Sequence, residues 1–216
     1  MYLPAAFEES RPDVLQALIR EFPLASLVTL STSGELAANS IPFLLEHGPA
    51  GGPGILRGHV ARANPVWREA RTDLDALVVF RGPQVYVSPS LYPGKADTGK
   101  VVPTWNYAEV QARGRLRAVE DRAWLLALVS RLTERHEAAR PAPWAVTDAP
   151  ADYIESMLGA IVGIELTLSA LSGKWKVSQN RSAADRSGVM QGLRAQGDAN
   201  AVAMAGLVAG HGPPPG

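Results

Sequence analysis

ASLVTLST (25–32) and LAANSIPFLL (36–45) lie on either side of Ser33-Gly34, and this arrangement decides the fold class. Short apolar runs that flank a tight, glycine-containing turn are typical of an antiparallel β-hairpin. We therefore expect two paired strands here. They are followed by HGPAGGPG (47–54), which is too rich in Gly and Pro to hold regular structure and predicts a loop.

Helices and further strands are expected on both sides of this hairpin. Ser10 and Pro12 open a run with apolar residues at helical spacing up to Phe22, and Asp121 precedes a similar run to Ala138. Three shorter helices are expected, one opening at Asn64-Pro65 and the others at 153–158 and 182–194. The predicted strands are 55–59, 76–80, 84–88, 101–119, 161–171 and 174–180, with turns at Arg81-Gly82-Pro83 and at Gly173.

Strands and helices do not alternate regularly along the chain. A mainly β protein with helices, of the α+β class and built on a small antiparallel barrel, fits this order better than a parallel doubly wound sheet. We expect one domain over residues 1–196 and a flexible tail rich in Ala, Gly and Pro over 197–216. Within that tail, VAMAGLVA (202–209) could dock on an apolar surface.

The composition excludes several classes of function. Lys and Arg number 21, as do Asp and Glu, so no overall field attracts nucleic acid and any anion site must be local. The absence of cysteine excludes disulfides, thiolate zinc sites and cysteine nucleophiles. The first residues lack the pattern of a secretory signal, and no apolar run approaches the roughly 20 residues of a membrane span. We expect a cytoplasmic protein with no membrane partner.

LRGHVARANPVW (56–67) is the first segment that could bind an anion. Arg57, His59 and Arg62 precede the predicted helix start at Asn64-Pro65. Guanidinium groups and the free N–H groups of a helix start both match phosphate oxygens, so the segment predicts a phosphate cradle. The alternative is that the arginines are solvated strand residues and that Asn64 only caps the helix.

SGKWKVSQNR (172–181) is the second such segment. In a strand, Lys174, Lys176 and Ser178 would share one face, and Trp175 would lie on the other face with Val177 and Gln179. Such a cationic face can bind a phosphate, stack on an aromatic ring or lie on a nucleic-acid backbone. The alternative is an edge strand whose lysines prevent aggregation.

The third segment, 82–107, is a loop and its flanking strands with an unusual density of aromatic, hydroxyl and lysine side chains. Tyr86 and Trp105 are also plausible core residues. No metal-ligand spacing joins the four histidines, and the dinucleotide, P-loop and serine-hydrolase motifs are absent. The sequence nominates no catalytic residue, and whether the protein is an enzyme stays open. The polar and aromatic residues of the segment are Tyr86, Ser88, Tyr92, Lys95, Lys100, Thr104, Trp105, Asn106 and Tyr107.

These segments resemble the PaiB family of FMN-binding transcriptional regulators, which are split-barrel flavoproteins related in fold to pyridoxamine-phosphate oxidases. The resemblance implies a six-stranded antiparallel split β-barrel with peripheral helices, and a homodimer with FMN at or near the subunit interface. One departure is Ser90-Leu91, where the family pattern has a large aromatic residue before Tyr92. The matching blocks are 1–7, 58–65, 78–92, 102–107, 142–150, 161–181 and 185–193.

The resemblance also implies three groups of FMN-binding residues. His59, Arg62 and Asn64 are expected at the phosphate or ribityl chain, and Arg62→Ala is expected to weaken FMN binding. Ser88, Lys95 and the turn Thr104-Trp105-Asn106 are expected near the ring or in contact with the other subunit. Lys174, Trp175 and Lys176 form the third group. The cofactor prediction depends on the stretches 57–64 and 174–181 converging on one groove.

Three functions agree with this resemblance. The first is a negative regulator of transcription that senses flavin or redox state, although the neutral net charge supports DNA binding only weakly. The second is a flavin-dependent oxidoreductase in which the cofactor performs the chemistry. The third is a haem-binding split barrel with His59 or His136 as axial ligand.

Overall fold

The computed structural model describes residues 1–48 and 52–211, so part of the predicted loop 47–54 and the end of the predicted tail lie outside the described residues. The chain forms two compact units. The first unit comprises 1–22, 80–111 and 172–216, and the second comprises 23–79 and 112–171.

Eight strands and seven α-helices make up the described part of the chain, together with 3-10 turns at Ala5–Phe7, Pro89–Leu91 and Val146–Asp148. The strands are β1 (Glu8–Glu9), β2 (Leu24–Leu30), β3 (Leu36–Pro42), β4 (Leu44–Glu46), β5 (Ile55–Ala61), β6 (Asp75–Val87), β7 (Thr104–Val119) and β8 (Ile161–Lys176). The helices are α1 (Pro12–Glu21), α2 (Val66–Glu69), α3 (Lys95–Thr98), α4 (Arg122–Glu137), α5 (Ala151–Gly159), α6 (Ala183–Gln196) and α7 (Ala199–Gly210).

The strands follow the order β3-β2-β6-β7-β8-β5-β4, and β1 pairs with β8. The pairs β2–β3, β2–β6, β4–β5, β5–β8 and β1–β8 are antiparallel, which confirms the predicted α+β class. The predicted number of six strands is wrong. The sheet has eight strands because the short β1 and β4 add to six longer ones, and its strand order does not close.

The predicted hairpin is confirmed in the second unit. β2 and β3 pair from Leu24 opposite Pro42 to Leu30 opposite Leu36. Alternate residues of β2 are buried, as expected for a strand with one face in the core. The helix expected after Asp121 is α4, whose first turn is capped by the Asp121 carboxylate accepting from the Trp124 N–H at 2.7 Å.

Two predicted turns are wrong, because β6 runs through Arg81-Gly82-Pro83 and β8 runs through Gly173. Both glycines lie under α1, the helix predicted at 10–22. A Cβ on Gly82 would be 3.0 Å from Leu18 Cδ1, and one on Gly173 would be 2.2 Å from Leu15 Cδ2. The glycines therefore allow α1 to approach the strands closely. Burial of each α1 leucine stabilises this unit by about 1.5–3 kcal/mol.

The segment expected as a flexible tail contains α7. Alanine is the strongest helix former, and the Asp198 carboxylate caps the helix by accepting from the Ala201 N–H at 3.0 Å. α7 packs against α6 and buries Ala201, Met204, Ala205 and Val208, so the apolar part of this segment does find a surface. Within residues 1–48 and 52–211, no helix is long and apolar enough to cross a membrane.

Candidate functional site

Arg57, from the first basic segment, belongs to a network of ion pairs in the second unit. Its guanidinium contacts Glu165 and Glu46, each at 2.8 Å. Glu165 is buried and also pairs with Arg117 at 2.6 Å. Burial alone would raise the pKa of Glu165, but the hydrogen bonds from Arg117 and Arg57 outweigh it and hold this pKa below its ordinary value. Arg57 is thus committed to neutralising carboxylates.

Arg62 makes three contacts within the same unit. It donates to the Gly159 carbonyl at 2.8 Å and to the Ile161 carbonyl at 3.2 Å, and it pairs with Glu120 at 2.6 Å. These bonds use all three nitrogens of the guanidinium and join the start of β8 to the end of β5. The geometry favours a structural role, and a contact with phosphate stays a prediction.

Asn64 and His59 also lie in the second unit. The Asn64 side-chain oxygen accepts from the Val66 N–H at 3.0 Å, and its amide donates to Asn39 at 2.7 Å, so Asn64 organises the start of α2. His59 is half-buried, and its buried Nδ1 has no hydrogen-bond partner among the described residues. Burial lowers the pKa of His59, which keeps the imidazole neutral. Roles in binding FMN or as a haem ligand stay predictions.

In the first unit, the end of β8 presents the second basic segment. Lys174 and Lys176 are half-buried, whereas Trp175 is buried, which agrees with the predicted alternation of faces. Trp175 therefore lies on the opposite face from the two lysines. The Lys174 ammonium lies 5.6 Å from the centre of the Tyr107 ring, which places the lysines on the same side as the outward residues of β7.

Lys176 donates a hydrogen bond to the Thr104 hydroxyl at the start of β7. Burial lowers the pKa of Lys176, and the positive charges of Lys174 and Arg181 lower this pKa further. None of these three cations forms an ion pair with a carboxylate in the described part of the chain. Glu8 is the cross-strand neighbour of Lys174, but the two side chains make no ion pair. The cluster is therefore suited to an added anion.

The turn after β8 is anchored to β7 by Asn106. Its buried side-chain amide donates to the Ser178 hydroxyl at 2.8 Å. Ser178 has a positive φ of 63°, which is uncommon for a residue other than glycine. Such backbone strain is often found at binding sites. Asn106 and Ser178 hold the turn that leads from Lys176 to Arg181.

Aromatic rings also project from β6 and from β7, the strand that neighbours β8. Trp105 and Tyr86 make an edge-to-face contact with ring centres 6.2 Å apart, and Trp105 is 54% exposed, so neither ring belongs to the core. A groove of about 290 Å³ runs beside Trp105 and Tyr107 and is also lined by Arg81, Gln84 and Glu109. We call Arg81, Gln84, Trp105, Tyr107, Lys174, Lys176 and Arg181 the cationic-aromatic face.

Ser88 and Lys95 lie in the segment between β6 and β7. The Ser88 hydroxyl accepts from the Ser90 N–H at 3.2 Å and caps a 3-10 turn, and Lys95 is exposed at the start of α3. The Asp185 carboxylate accepts from the Gly94 N–H at 2.9 Å and fixes this segment to α6. No hydrogen bond within the described residues joins Ser88 or Lys95 to Lys174 or Lys176, and the roles of Ser88 and Lys95 at FMN stay predictions.

Sequence reasoning missed Tyr2 as a neighbour of Lys174, and it missed Arg81 and Gln84 as residues that line a groove with Trp105 and Tyr107. The sequence predicts a turn at Arg81 and the start of a separate strand at Gln84, whereas β6 continues through both residues. A sign of this was available in the sequence, because Gly-Pro inside a strand is compatible with a β-bulge. The burial pattern of β6 changes phase at Gly82 and Pro83, which are both buried, as expected at a bulge.

Residues 1–170 match the model of a protein family described as "Putative FMN-binding domain". The chain belongs to this PaiB-like FMN-binding family. It is 37% identical to an uncharacterized protein of Aspergillus fumigatus, over 91% of this chain and 92% of that protein. It is 29% identical to the protease synthase and sporulation protein PAI 2 of Bacillus subtilis, over 96% of each chain. The predicted family and its cofactor, FMN, are confirmed.

Solved structures show the same fold. The FAD and heme binding protein from Mycobacterium smegmatis matches with a TM-score of 0.55 and 18% identity, over 78% of this chain and 73% of that chain. The flavocytochrome Anf3 from Azotobacter vinelandii matches with a TM-score of 0.55 and 16% identity, over 78% of this chain and 69% of that chain. The PaiB-like chain thus has the split-barrel type of fold found in flavoproteins.

The residues of the cationic-aromatic face fit FMN. The cofactor carries a phosphate dianion and a flat aromatic ring system. This face offers lysines that form no ion pair with a carboxylate in the described chain, together with the exposed Trp105 indole and the half-buried Tyr107 phenol ring. The first basic segment fits less well, because Arg57 and Arg62 are bonded to carboxylates and carbonyls. In this PaiB-like protein the second basic segment is the stronger candidate for the phosphate.

Proposed function

We propose that this chain is a homodimeric FMN-binding regulator of transcription that holds the cofactor on its cationic-aromatic face. The observation that carries the proposal is the cluster of Lys174, Lys176 and Arg181, which form no ion pair with a carboxylate within residues 1–48 and 52–211. Like charges that lower the pKa of a neighbouring lysine make the unliganded cluster electrostatically unfavourable. A phosphate would convert this repulsion into attraction, so the cluster favours an anionic ligand.

The hydrogen-bonding groups around the cluster suit a phosphate. Lys174 and Lys176 each supply ammonium donors. Because the Thr104 oxygen accepts from Lys176, its own hydroxyl hydrogen is left to donate to a phosphate oxygen. Contacts of this kind between charged groups contribute about 1.5–3 kcal/mol each.

The aromatic part of the face suits the flavin ring. Trp105 is exposed, and Tyr107 lies in the groove next to Arg81 and Gln84. Flat rings of this kind can stack on a planar ligand, and Arg81 and Gln84 can donate to carbonyl oxygens on such a ligand. When bound, FMN supplies reversible uptake of electrons, and the protein binds, orients and shields it.

The regulatory role is supported by the relative from Bacillus subtilis, whose name links it to protease synthesis and sporulation. The net charge of zero means that contact with DNA would depend on a local patch or on a partner protein. A homodimer in the cytoplasm, with DNA as a partner, belongs to the same proposal.

A flavin-dependent oxidoreductase is the second candidate. The exposure of Trp105 at the groove favours it, because a soluble reductant could reach a ring bound there. In that case FMN would be reduced and reoxidised in steady turnover, and no response of DNA binding would be needed.

Four measurements on the purified full chain test the proposal. Titration with FMN should give a flavin spectrum at one FMN per chain, and sedimentation should give a dimer. Mobility shifts on DNA from the gene's own promoter should differ between oxidised and reduced FMN. Steady NAD(P)H oxidation with no DNA shift in either state would replace the regulator with the oxidoreductase. In the FMN titration, Lys176→Ala should weaken binding, because it removes a cation of the cluster. Arg194→Ala is the matched control, because it removes an exposed arginine of α6 and should leave FMN binding unchanged.

A further inference from the structure

The surroundings of the Lys174 ammonium include a residue from the start of the chain. Lys174 donates to the main-chain carbonyl of Tyr2 at 3.0 Å. Its nitrogen lies 5.5 Å from the centre of the Tyr2 ring and 5.6 Å from the centre of the Tyr107 ring. The ammonium is therefore held by one carbonyl and two aromatic rings, and Tyr2 supplies two of these three groups.

The segment that carries Tyr2 is tied to the first unit at several points. The Phe7 N–H donates to the Pro4 carbonyl at 2.9 Å and closes a 3-10 turn. β1 then pairs with β8, with Glu8 opposite Lys174. Residues near the start of a chain are usually poorly ordered unless they are held in this way. The segment brings Tyr2 to the lysine whose backbone it pairs with.

Packing does not explain the position of the Tyr2 ring, because 84% of Tyr2 is exposed. A large ring that projects into solvent contributes little to a core. The Tyr2 ring instead lies next to the Lys174 ammonium. Glu8, the charged neighbour across the strands, makes no ion pair with that lysine. The lysine is thus held by neutral groups, which leaves its charge free to act on a ligand.

We infer that Tyr2 is a positioning residue for the FMN phosphate, which it affects by holding Lys174 in place. This inference rests on the proposed function of the cationic-aromatic face. A lysine side chain has many rotamers, and ordering it on binding reduces affinity. With Tyr2 and Tyr107 on its sides, Lys174 is ordered before the phosphate arrives, and binding loses less conformational freedom.

A thermodynamic cycle tests this inference. FMN and riboflavin dissociation constants are measured for the full chain, Tyr2→Ala, Lys174→Ala and the double variant. Tyr2→Ala removes the ring and keeps the carbonyl, so it should weaken FMN binding about two- to five-fold, the range of an exposed cation–π contact. In the Lys174→Ala background the same change should have no further effect. Riboflavin affinity should be unaffected, because riboflavin lacks the phosphate.

Two variants serve as controls. Tyr2→Phe keeps the ring and the carbonyl and should restore FMN affinity fully. Tyr153→Ala removes an exposed tyrosine of α5, in the second unit, and should change nothing. Since Tyr2 is exposed, Tyr2→Ala should fold normally, which the unfolding transition in urea verifies.

Three results would overturn the inference, and each identifies its cause. If FMN affinity is unchanged in Tyr2→Ala but lowered in Lys174→Ala, Tyr2 has no positioning role, and the assignment of Lys174 to the phosphate site still holds. A loss that persists in the Lys174→Ala background, or that extends to riboflavin, would mean that Tyr2 contacts the cofactor directly. Unchanged FMN affinity in Lys174→Ala would exclude the lysine from the phosphate site and would overturn both proposals.

Discussion

The two basic segments of this chain both carry several cationic side chains, but these side chains have different partners in the structure. In the second unit, Arg57 and Arg62 are paired with Glu165, Glu46 and Glu120. In the first unit, Lys174 and Lys176 have a hydroxyl, a carbonyl and aromatic rings as neighbours and form no ion pair with a carboxylate in the described residues. The first segment stabilises the fold, whereas the second has positive charge available for a ligand.

This difference shows what decides whether a basic motif binds an anion. Guanidinium groups form bidentate contacts with carboxylates, so arginines on strands readily form ion pairs with acidic residues on neighbouring strands. Lysines flanked by rings keep their charge, because a ring attracts a cation without neutralising it. Whether a basic motif binds an anion therefore depends less on its number of cations than on whether carboxylates on neighbouring strands already pair with them.

The largest expected effect concerns the second segment. Replacing both Lys174 and Lys176 by alanine should weaken FMN binding about 100-fold or more, since each charge-assisted contact contributes about 1.5–3 kcal/mol. Titration followed by flavin fluorescence measures the change. The free energy of unfolding should stay close to that of the parent, because neither lysine forms an ion pair in the described chain. FMN affinity within two-fold of the parent would remove the distinction between the segments.

The opposite behaviour is expected for Glu165 in the second unit. Glu165→Gln removes the charge that neutralises Arg57 and Arg117, and the two partly buried ion pairs are lost. The free energy of unfolding in urea should fall by about 2–3 kcal/mol. Glu155→Gln, which breaks an exposed pair with Arg122, should cost less than about 1 kcal/mol. Equal losses of unfolding free energy in the two variants would show that the Glu165 network stabilises the fold no more than an exposed ion pair does.

The pH dependence of stability sharpens the same point. The folded-state pKa of Glu165 lies below its ordinary value of 4.5, so the unfolded chain binds the proton more tightly. The stabilisation by this carboxylate is therefore complete above about pH 4.5 and is lost as the pH falls through the folded-state value. Urea unfolding of the parent and of Glu165→Gln should converge as the solution is acidified. A difference that stays constant would exclude the linkage.

The smallest effect is expected for Arg62 on FMN binding. Because its guanidinium is bonded to Gly159, Glu120 and Ile161, Arg62→Ala should lower the free energy of unfolding by about 1–2 kcal/mol and change the FMN dissociation constant less than two-fold. A ten-fold weaker FMN affinity with an unchanged free energy of unfolding would contradict this expectation and would support the contact between Arg62 and the phosphate that the motif at 57–64 predicts.

Much of the fold was predictable from local patterns. The hairpin around Ser33-Gly34 and the helix after Asp121 depend on turn residues, caps and apolar spacing, which are signals within a short stretch. The merged strands were not predictable in this way. Gly82 and Gly173 serve the close approach of α1, and a sequence does not show which distant helix will cover a glycine.

The candidate site was predictable in part, and the reason is again long-range contact. The alternation of Lys174, Trp175 and Lys176 indicated a cationic face and a buried indole. The commitment of Arg62 to Glu120 and to two carbonyls was not visible, because these partners lie more than 50 positions away in the sequence. The Tyr2 contact with Lys174 was hidden for the same reason, with 172 positions between them.

The most direct test separates the phosphate from the rest of the cofactor. The ratio of the riboflavin to the FMN dissociation constant is measured for the parent chain and for the chain with Lys174 and Lys176 both replaced by alanine. If the lysines hold the phosphate, the ratio should be large in the parent and fall close to one in the variant, with riboflavin affinity unchanged. An unchanged ratio in the variant would place the phosphate elsewhere and contradict the assignment of the second basic segment.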